Sequence, residues 1–521
     1  MNKRIHKYFV STLVIFFLCF CFSLTAKTET MPNVIVIYAD DLGYGDIGCQ
    51  GANKVQTPNI DKLALEGRRF TDAHSASAVC TPSRYALLTG EYPHRGNQGR
   101  GFWGPLSSRS QLIIDKNTLT LGKVFQNKGY ETACFGKWHL GFGDKKDNDW
   151  TMPLTSGPNE VGFDYYWGVP LVNSSSPYVF VENNRVVGYD ENDPLVYLTD
   201  LKAKVNALKS SPTMKFRGKA PNRYAGALKA HELYKDDQIG TIITEKAIDW
   251  ITENKEKPFF LYFATTNIHH PFTPAKRFLG TSQAGVYGDF IHELDWMVGE
   301  LVATLEKNKL SENTMIIFTS DNGGMFNYGG EDAIKKGHKI NGDLLGFKFG
   351  VWEGGHRIPF IAKWQGHIPA HTVSDQLICS MDLLSAFVSL TKQENQLSLK
   401  GKDAKNILPA LLGDVQTEVR EELLLAPSKR THLSFRKGDW VFIPAQGSGG
   451  FPGERGGAGA VSIAGGVNSD IVEGKISPTA PAEQLYNIKQ DKNQTKNVYR
   501  QYPKVVEQMK KRLLQLSKEK S

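Results

Sequence analysis

Cysteine is scarce in this chain, which has six cysteines among 521 residues. No two of them form a CxxC pair, and only Cys49, Cys80, Cys134 and Cys379 lie beyond the first 26 residues. Cysteines so few and so widely spaced do not form the disulfide framework on which small secreted proteins depend. We therefore expect at least one of these thiols to be available for chemistry.

Long hydrophobic runs are also scarce, since the chain has one near its start and none later that is apolar enough to span a membrane. Near the start, three cations precede an apolar stretch from Phe9 to Phe22, which is the pattern of a secretory signal. This stretch is shorter than the roughly 20 residues that a membrane span needs, and its cysteines lack the small residues that usually precede a lipidated cysteine. We therefore expect residues 1–26 to be a signal peptide, the mature protein to be secreted or periplasmic, and no stable membrane insertion.

The chain has no large excess of charge of one sign. It contains 62 basic and 54 acidic residues, and three of the basic residues lie in the predicted signal. This balance gives no reason to expect a nucleic-acid partner. No internal repeat is visible either, and a hydrophobic content of 40% supports a sizeable core. The length allows one large domain with a smaller one, or two to three ordinary domains.

What the chain does have is a set of apolar runs that end in polar residues. Four runs, in "NVIVIYADD", "YETACFGKWH", "KPFFLYFATTNIHH" and "TMIIFTSDN", are typical of strands buried on both faces. The polar residues that follow them are Asp40, Asp41, Lys137, His139, His269, His270, Asp321 and Asn322. Helix patterns at 57–67 and 120–129 predict an α/β fold with a largely parallel sheet. Such sheets bind ligands beyond the carboxyl ends of their strands, so these side chains can converge.

The acidic residues at two of these strand ends indicate a cation site. Singly, Asp40-Asp41 and Asp321-Asn322 are each typical of a cap on the following helix. Together they favour a hard cation, because carboxylate and amide oxygens suit Ca²⁺ or Mg²⁺, whereas zinc prefers nitrogen or sulfur ligands.

The segment "SAVCTPSRYALLTG" places a cysteine directly before a helix. The pattern predicts Thr81 as the cap, Pro82 in the first turn and Gly90 at the end of this helix. Cys80 then faces a helix N-terminus, where unpaired N–H groups and the helix dipole lower the pKa of a thiol. A buried structural cysteine is the alternative interpretation.

Helix and strand signals fade between residues 169 and 235. Loops of this length are usually functional, and we interpret this one as a rim around the pocket, with an inconsequential surface insertion as the alternative. Its aromatic and basic side chains include Tyr178, Lys202, Lys204, Arg217 and Arg223.

The last hundred residues predict a second region. We expect a large domain at 31–415 and a smaller α+β domain at 416–521. In the smaller one, "THLSFRKGDWVFIP" and "EQLYNI" predict one strand each, and Pro503–Leu516 predicts a basic closing helix. The glycines from Gly447 to Gly466 lack the strand and helix of a phosphate-binding loop, which predicts a flexible connection.

The segments "NVIVIYADDLGYGDIGCQG", "CTPSRYALLTG", "GKWHLG", "HHP", "TSDNGG" and "GFKFGVWEGGHRIP" together resemble the type I, arylsulfatase-like sulfatases. The resemblance extends from about Met31 to Leu516 and implies an alkaline-phosphatase-like α/β fold. In that family the motif cysteine is oxidised to formylglycine, whose hydrate supplies the nucleophilic oxygen. By this resemblance Cys80 would be that residue, and a formylglycine-generating or sulfatase-maturating enzyme would be a partner.

The resemblance also implies a role for each polar residue of the predicted site. Asp40, Asp41, Asp321 and Asn322 would bind the cation, usually calcium, together with the modified residue 80.

The remaining site residues would act on the hydrate and on the sulfate. Arg84 would hydrogen-bond the hydrate, and His139 would help to deprotonate it. Lys137 and Lys348 would hold the sulfate oxygens. His269 would contact the substrate and protonate the leaving alcohol.

Three interpretations of the function compete at this point. The first is a secreted sulfatase. The second is a phosphodiesterase or phosphonate hydrolase of the same superfamily, although serine or threonine usually replaces the cysteine in the phosphatase branches. The third is a non-catalytic glycan-binding protein, against which the complete set of motif residues argues.

The substrate prediction rests on the charge of the chain and its predicted location. A signal peptide, a mildly basic mature chain and the basic excursion favour a polyanion outside the cytoplasm. Relatives of this family act on algal polysaccharides such as ulvan or carrageenan and on host glycosaminoglycans, so we expect a sulfated carbohydrate, with algal glycans such as ulvan ranked first. A simple aryl sulfate is the alternative.

Overall fold

The four apolar runs form neighbouring strands of one ten-stranded sheet. The computed structural model describes residues 31–173, 177–190, 233–326, 329–399, 402–414 and 416–518. The predicted signal peptide and the predicted rim residues Lys202, Lys204, Arg217 and Arg223 lie outside these ranges. Within the described ranges, no helix is both long and apolar enough to cross a membrane.

In chain order, the strands are β1 (Asn33–Ala39), β2 (Arg68–Phe70), β3 (Ala73–His74), β4 (Glu131–Lys137), β5 (Tyr165–Val169), β6 (Val181–Glu182), β7 (Arg185–Val186), β8 (Phe259–Ala264), β9 (Thr314–Ser320), β10 (Phe360–Lys363), β11 (Thr372–Ser374), β12 (Ile378–Cys379), β13 (Glu422–Leu425), β14 (Ser434–Lys437), β15 (Trp440–Ile443), β16 (Ile471–Val472), β17 (Lys475–Ile476) and β18 (Gln484–Asn487). The α-helices are α1 (Pro58–Leu65), α2 (Cys80–Thr89), α3 (Leu121–Gln126), α4 (Ile239–Glu253), α5 (Val286–Lys307), α6 (Gly330–Lys335), α7 (Glu353–His356), α8 (Leu383–Leu390), α9 (Leu408–Leu411), α10 (Gly457–Ile463) and α11 (Pro503–Lys518). Short 3-10 turns lie at Gly48–Gln50, Asn159–Val161, Lys276–Phe278, Ser311–Asn313, Ser380–Asp382 and Arg430–His432.

The large sheet has the strand order β11-β2-β10-β9-β1-β8-β4-β5-β6-β7. Its central strands β9, β1, β8, β4 and β5 are parallel to one another, whereas β10, β6 and β7 add antiparallel pairs. The register aligns Ala39 at the end of β1 with Ser320 at the end of β9. The residues that follow these two strands therefore emerge at one level of the same edge.

Both faces of the sheet are buried, as the apolar runs predict. On one face, Ile35 and Phe263 belong to a core that includes side chains of α1, α4 and α5. On the other face, the ring of Phe260 stacks on Phe125 of α3, with ring centroids 4.3 Å apart, and also contacts Phe387 of α8. Val, Ile and aromatic residues dominate such strands because both faces exclude water. The predicted α/β fold with an alkaline-phosphatase-like sheet and helices on both faces is confirmed.

The excursion after residue 169 differs from its prediction where it is described. Strands β6 and β7 extend the large sheet by two antiparallel strands. Tyr178 is only 8% exposed, and its ring contacts Tyr234 at 5.8 Å instead of facing solvent. The interpretation of Tyr178 as a rim residue is wrong, because its ring fills an aromatic cluster beneath the sheet edge.

The C-terminal region contains the four-stranded antiparallel sheet β13-β14-β15-β18 and helix α11. The segment "THLSFRKGDWVFIP", predicted as one strand, forms the hairpin of β14 and β15. The backbone turns at Gly438, which has a φ of 53°. The glycine segment is not a loose connection either. It contains α10, and the N–H of Val351 donates to the carbonyl of Ser448 at 2.7 Å. The boundary between 415 and 416 stays a prediction.

Candidate active site

The four predicted cation ligands meet at the ends of β1 and β9. The N–H of Asp321 donates to the carbonyl of Ala39 at 3.0 Å, and the N–H of Asp41 donates to Oδ1 of Asp321 at 3.1 Å. The Asn322 amide donates to Oδ1 of Asp41 at 2.9 Å. All four side chains, including Asp40, are buried. The adjacency of the two parallel strands therefore produces the convergence that the sequence predicts.

This cluster fits a divalent cation. Carboxylate oxygens of Asp40, Asp41 and Asp321 lie within 4.8 Å of one another. Oδ1 of Asp40, Oδ2 of Asp41 and Oδ1 of Asn322 are buried and accept no hydrogen bond from any residue that the structure describes. Burial and the nearby charge of Asp40 raise the pKa of Asp321. Buried anionic oxygens without donors are costly, and a hard cation would relieve that cost.

Cys80 lies at the first position of α2, and Val79 before it is extended. Thr81, the predicted cap, is inside the helix, and its hydroxyl donates to the carbonyl of His139 at 3.0 Å. The thiol is 2% exposed. Burial raises its pKa, an effect that the charges of Lys137 and Lys348 oppose. The prediction of a lowered thiol pKa is wrong, since loss of water outweighs the field of the helix end.

Arg84 is one turn into α2 and is fully buried. Its Nη2 and Nε both donate to Oδ2 of Asp321, at 2.8 and 3.1 Å, and its Nη1 donates to the carbonyl of Lys137 at 3.3 Å. Burial opposes its charge, yet Asp321 and Asp40 outweigh burial and raise its pKa well above the usual value. The guanidinium thus joins the helix of Cys80 to the strand ends that carry the carboxylates.

The two predicted sulfate-binding lysines enter the same space from different elements. Nζ of Lys137, at the end of β4, lies 2.7 Å from Oδ2 of Asp40. Nζ of Lys348, which precedes α7, lies 2.5 Å from Oδ1 of Asp41. Burial alone would lower the pKa of Lys348. The negative charges near it, chiefly that of Asp41, outweigh burial and raise the pKa of Lys348. Two ammonium groups held beside Cys80 create the positive field that a sulfate monoester requires.

Both predicted catalytic histidines are neutral in this environment. Nε2–H of His139 donates to the carbonyl of Leu106 at 3.2 Å, and its buried Nδ1 has no hydrogen-bond partner within the described part of the chain. Nδ1–H of His269 donates to the carbonyl of His270 at 2.6 Å, and its Nε2 lies 3.7 Å from Oδ2 of Asp41. Burial lowers the pKa of both rings, and nearby cations, Lys137 for His139 and Lys348 for His269, lower it further.

Two further residues at the site were not predicted. Asn173 is buried, and its amide donates to the carbonyl of Pro271 at 3.0 Å, which supports the turn that carries His269. Phe349 belongs to one small buried cluster with Val79, Cys80 and Met325, and its φ is 74°. Phe349 follows no strand, and β5, which ends four residues before Asn173, is not one of the four apolar runs that the sequence indicated. For Asn173 the sequence offers only a glycosylation motif, which its burial makes inaccessible.

A second cluster of metal-type side chains, His74, Glu353 and His356, lies elsewhere in the fold. Arg357 pairs with Glu353 at 2.7 Å, and Nη1 of Arg436 is 3.2 Å from the His74 ring. The ring nitrogens of His74 and His356 are also hydrogen-bonded, to each other at 3.0 Å, to Asp72 and to the carbonyl of Val351, so they are not available as ligands as the oxygens of the first cluster are.

Comparison with known proteins agrees with this geometry. A family model described as Sulfatase matches residues 32–393. The N-acetylgalactosamine-6-O-sulfatase of Bacteroides thetaiotaomicron is 35% identical over 500 residues, which cover 93% of this chain and 92% of that protein.

Two solved structures show the same architecture. One, a protein designated 6S-sulf from work on glycosaminoglycan metabolism by Bacteroides thetaiotaomicron, has a TM-score of 0.81 and 34% identity, and the match covers 94% of this chain and 100% of that one. The other is Ps i-CgsB in complex with k-i-k-neocarrahexaose, with a TM-score of 0.68 and 25% identity, and here the match covers 94% of each chain. The match over most of the chain, together with the buried acidic and cationic cluster around Cys80, shows that the chain belongs to the sulfatase family and is a sulfuric ester hydrolase.

Proposed function

We propose that this sulfatase removes O-sulfate groups from a glycan outside the cytoplasm, with residue 80 in its formylglycine form. The observation that carries the proposal is the position of Cys80 at the start of α2, buried beside Lys137, Lys348, Asp40 and Asp321. A buried thiol with a raised pKa is a poor nucleophile, which supports its use in a modified form.

The side chains around position 80 divide the reaction among them. Asp40, Asp41, Asp321 and Asn322 would hold the Ca²⁺ ion, and a hydrated formylglycine beside it would supply two hydroxyl groups, one to accept the sulfuryl group and one whose deprotonation would release sulfate. Lys137 and Lys348 bind the sulfate oxygens and offset the charge that develops on them. Arg84 fixes the start of α2 relative to Asp321. We propose Ca²⁺ ahead of Mg²⁺ because of the family resemblance.

The histidine tautomers support the proposed proton transfers. His139 donates through Nε2, so its unpartnered Nδ1 holds a lone pair and accepts the proton of the attacking hydroxyl. His269 donates through Nδ1, so Nε2 is the atom that carries the proton to the leaving alcohol. The negative charge of a bound sulfate ester favours protonation of that ring.

The relatives narrow the substrate class. A 35% identical relative is named for N-acetylgalactosamine 6-O-sulfate, and a 25% identical structure contains a carrageenan-type oligosaccharide. Both names support a glycan sulfate ester, and the more similar one favours a 6-O-sulfated amino sugar. Of the algal glycans ranked first from the sequence, carrageenan has support among these proteins and ulvan has none.

Sulfate release from a defined panel tests this proposal. The panel contains N-acetylgalactosamine 6-O-sulfate, its 4-O-sulfate isomer, ulvan oligosaccharides, 4-nitrophenyl sulfate and bis(4-nitrophenyl) phosphate. We expect the highest kcat/KM for a glycan sulfate, and no sulfate release by Cys80→Ala. Activity on the aryl sulfate alone would overturn the glycan assignment, and preferential release of 4-nitrophenol from the phosphodiester would favour the phosphodiesterase alternative.

Mass spectrometry tests the modification and the predicted signal peptide. We expect the tryptic peptide with residue 80 to be about 18 Da lighter than its cysteine form in active enzyme, and the mature chain to begin after residue 26. Full activity with an unmodified thiol would contradict the proposed nucleophile. Exhaustive chelation should abolish turnover, and Ca²⁺ should restore it better than Mg²⁺.

A further inference from the structure

The glycine segment of the C-terminal region, residues 447–466, packs against the backbone that immediately follows Lys348. A Cβ atom built on Gly450 would lie 3.2 Å from the backbone nitrogen of Gly350, which is shorter than most contacts that real Cβ atoms make. The absence of a side chain at Gly450 therefore lets the two backbones approach closely. The hydroxyl of Ser428 donates to the carbonyl of Gly449 at 3.0 Å and anchors the segment from its other side. Residues 448–451 are thereby held at the active site by the C-terminal region.

Phe349 connects this segment to the nucleophile position. Its φ of 74° is in the left-handed region, which is unfavourable for a bulky side chain. Two backbone hydrogen bonds hold this conformation, from its own N–H to the carbonyl of Ala78 at 2.7 Å and from the N–H of Ser428 to its carbonyl at 3.0 Å. The ring is 8% exposed and belongs to the buried cluster that contains Val79 and Cys80. Strain maintained at such a position indicates that the ring has a function there.

Phe451 covers this ring from outside. The two ring centroids are 4.1 Å apart, and Phe451 is 47% exposed, so one side of its ring contacts Phe349 while the remainder faces solvent. Both rings line one crevice with Lys348 and Arg455. Arg455 is itself exposed and pairs with Glu331 at 3.0 Å. A large exposed aromatic beside a cationic site is typical of a ligand-binding surface.

We propose that Phe451, supported from behind by the buried ring of Phe349, forms an aromatic platform that binds the sugar ring of the substrate and thereby sets specificity for a carbohydrate sulfate. A pyranose ring has a face of C–H groups that complements the negative face of an aromatic ring. Lys348, adjacent in sequence to Phe349, binds the sulfate group, so a sugar on the platform presents its ester to residue 80. This inference rests on the proposed glycan substrate, and it assigns the specificity to the C-terminal glycine segment.

Steady-state kinetics of Phe451→Ala, Phe451→Trp and Tyr502→Ala test the platform. Tyr502→Ala is the matched control, because Tyr502 is 41% exposed and contacts the Trp440 ring at 4.9 Å outside this crevice. For the best glycan substrate of the panel, Phe451→Ala should lower kcat/KM about tenfold, mainly through KM, which corresponds to about 1.4 kcal/mol of binding. Phe451→Trp should stay within about threefold of the wild type because it preserves the stacking face.

Inhibition by inorganic sulfate distinguishes loss of sugar binding by the platform from a general disruption of the active site. Sulfate contacts the lysines and not the platform, so its inhibition constant should be the same in all variants. A Phe451→Ala enzyme with unchanged KM for the glycan, or with the same loss for sulfate as for glycan, would overturn the platform while leaving the proposed function intact. If the wild type releases sulfate from no glycan, the proposed function fails and the platform fails with it.

Discussion

The charged side chains of the active site form a balanced set of buried pairs. Lys137 pairs with Asp40, Lys348 with Asp41, and Arg84 with Asp321. Loss of one partner from a buried pair leaves an uncompensated charge, which typically costs about 3–5 kcal/mol. Each basic side chain must therefore reach its carboxylate partner as well as carry a positive charge.

Arg84→Lys tests whether the fork of the guanidinium is required. Lysine keeps the charge but cannot contact Asp321 and the Lys137 carbonyl together, so we expect kcat to fall about a hundredfold, which is the effect of a misplaced catalytic group. The control is Arg95→Lys, which changes another buried arginine, paired with Asp403 at 2.9 Å. The control should lose stability and keep kcat. Equal loss of kcat in both variants would contradict a specific role for Arg84.

Glu293 makes folding stability depend on pH. Burial raises the pKa of this carboxyl to about 7, although the amide of Asn267 donates to it at 3.0 Å. A raised carboxyl pKa stabilises the fold fully below the unfolded value of 4.5, and this contribution is lost as the pH rises through about 7. The neutral variant Glu293→Gln lacks this titration.

We therefore expect the free energy of unfolding of Glu293→Gln, relative to wild type, to increase by up to about 3 kcal/mol between pH 4.5 and pH 8. Urea unfolding at several pH values measures this difference. Glu245→Gln, at an exposed position of α4, should show no comparable trend. A difference for Glu293→Gln that is independent of pH would refute the buried titration.

At the scale of elements, the N-terminus of helix α1 is capped by a residue that is distant in sequence. Thr57 occupies the N-cap position of α1 and is a residue type that normally caps a helix, but its hydroxyl accepts from the N–H of Gly48 at 2.8 Å and not from an N–H of the helix. The helix N-terminus is capped by Asp295 of α5, which accepts from the N–H groups of Asn59 and Ile60 at 3.0 and 2.9 Å. A residue more than two hundred positions away thus replaces the local cap.

Asp295→Ala should destabilise the fold by about 1–3 kcal/mol, because it leaves the buried N–H of Ile60 without an acceptor. Chemical denaturation measures the loss. Asp343→Ala, which removes an exposed partner of Lys339, should cost less than about 0.5 kcal/mol. If both variants lose the same stability, Asp295 does not act as the cap.

The strands and the residues that follow them could be predicted because the signal is local. The runs that end at Asp40 and Asp321 are apolar throughout, as strands buried on both faces must be, and the polar residues after them share one sheet edge. Phe349, Tyr178 and the cap at Asp295 could not be predicted, because their roles come from contacts with residues far away in sequence. The short turn at Gly438 was missed because alternation continues across it.

At the scale of the whole molecule, helix α2, which carries Cys80, depends on the C-terminal sheet. The N–H of Ala426 donates to the carbonyl of Ala76 at 3.1 Å, and the N–H of Ala78 donates to the carbonyl of Ala426 at 3.0 Å, just before Cys80. Ala86 of α2 belongs to one core cluster with Phe442 of β15. Residues 32–521 also form one compact unit. The region predicted as a separate small domain therefore supplies part of the packing of the site.

A chain that ends at residue 415 should consequently fail to fold, although it retains every predicted catalytic and cation-binding residue. Its truncation exposes apolar side chains that the C-terminal sheet covers, and burial of apolar surface contributes roughly 25 cal/mol per Å². We expect an aggregated or molten product by near-ultraviolet circular dichroism, and a single cooperative transition for the full chain by calorimetry. A soluble 32–415 fragment with native near-ultraviolet signal would instead establish the predicted boundary as a true domain boundary.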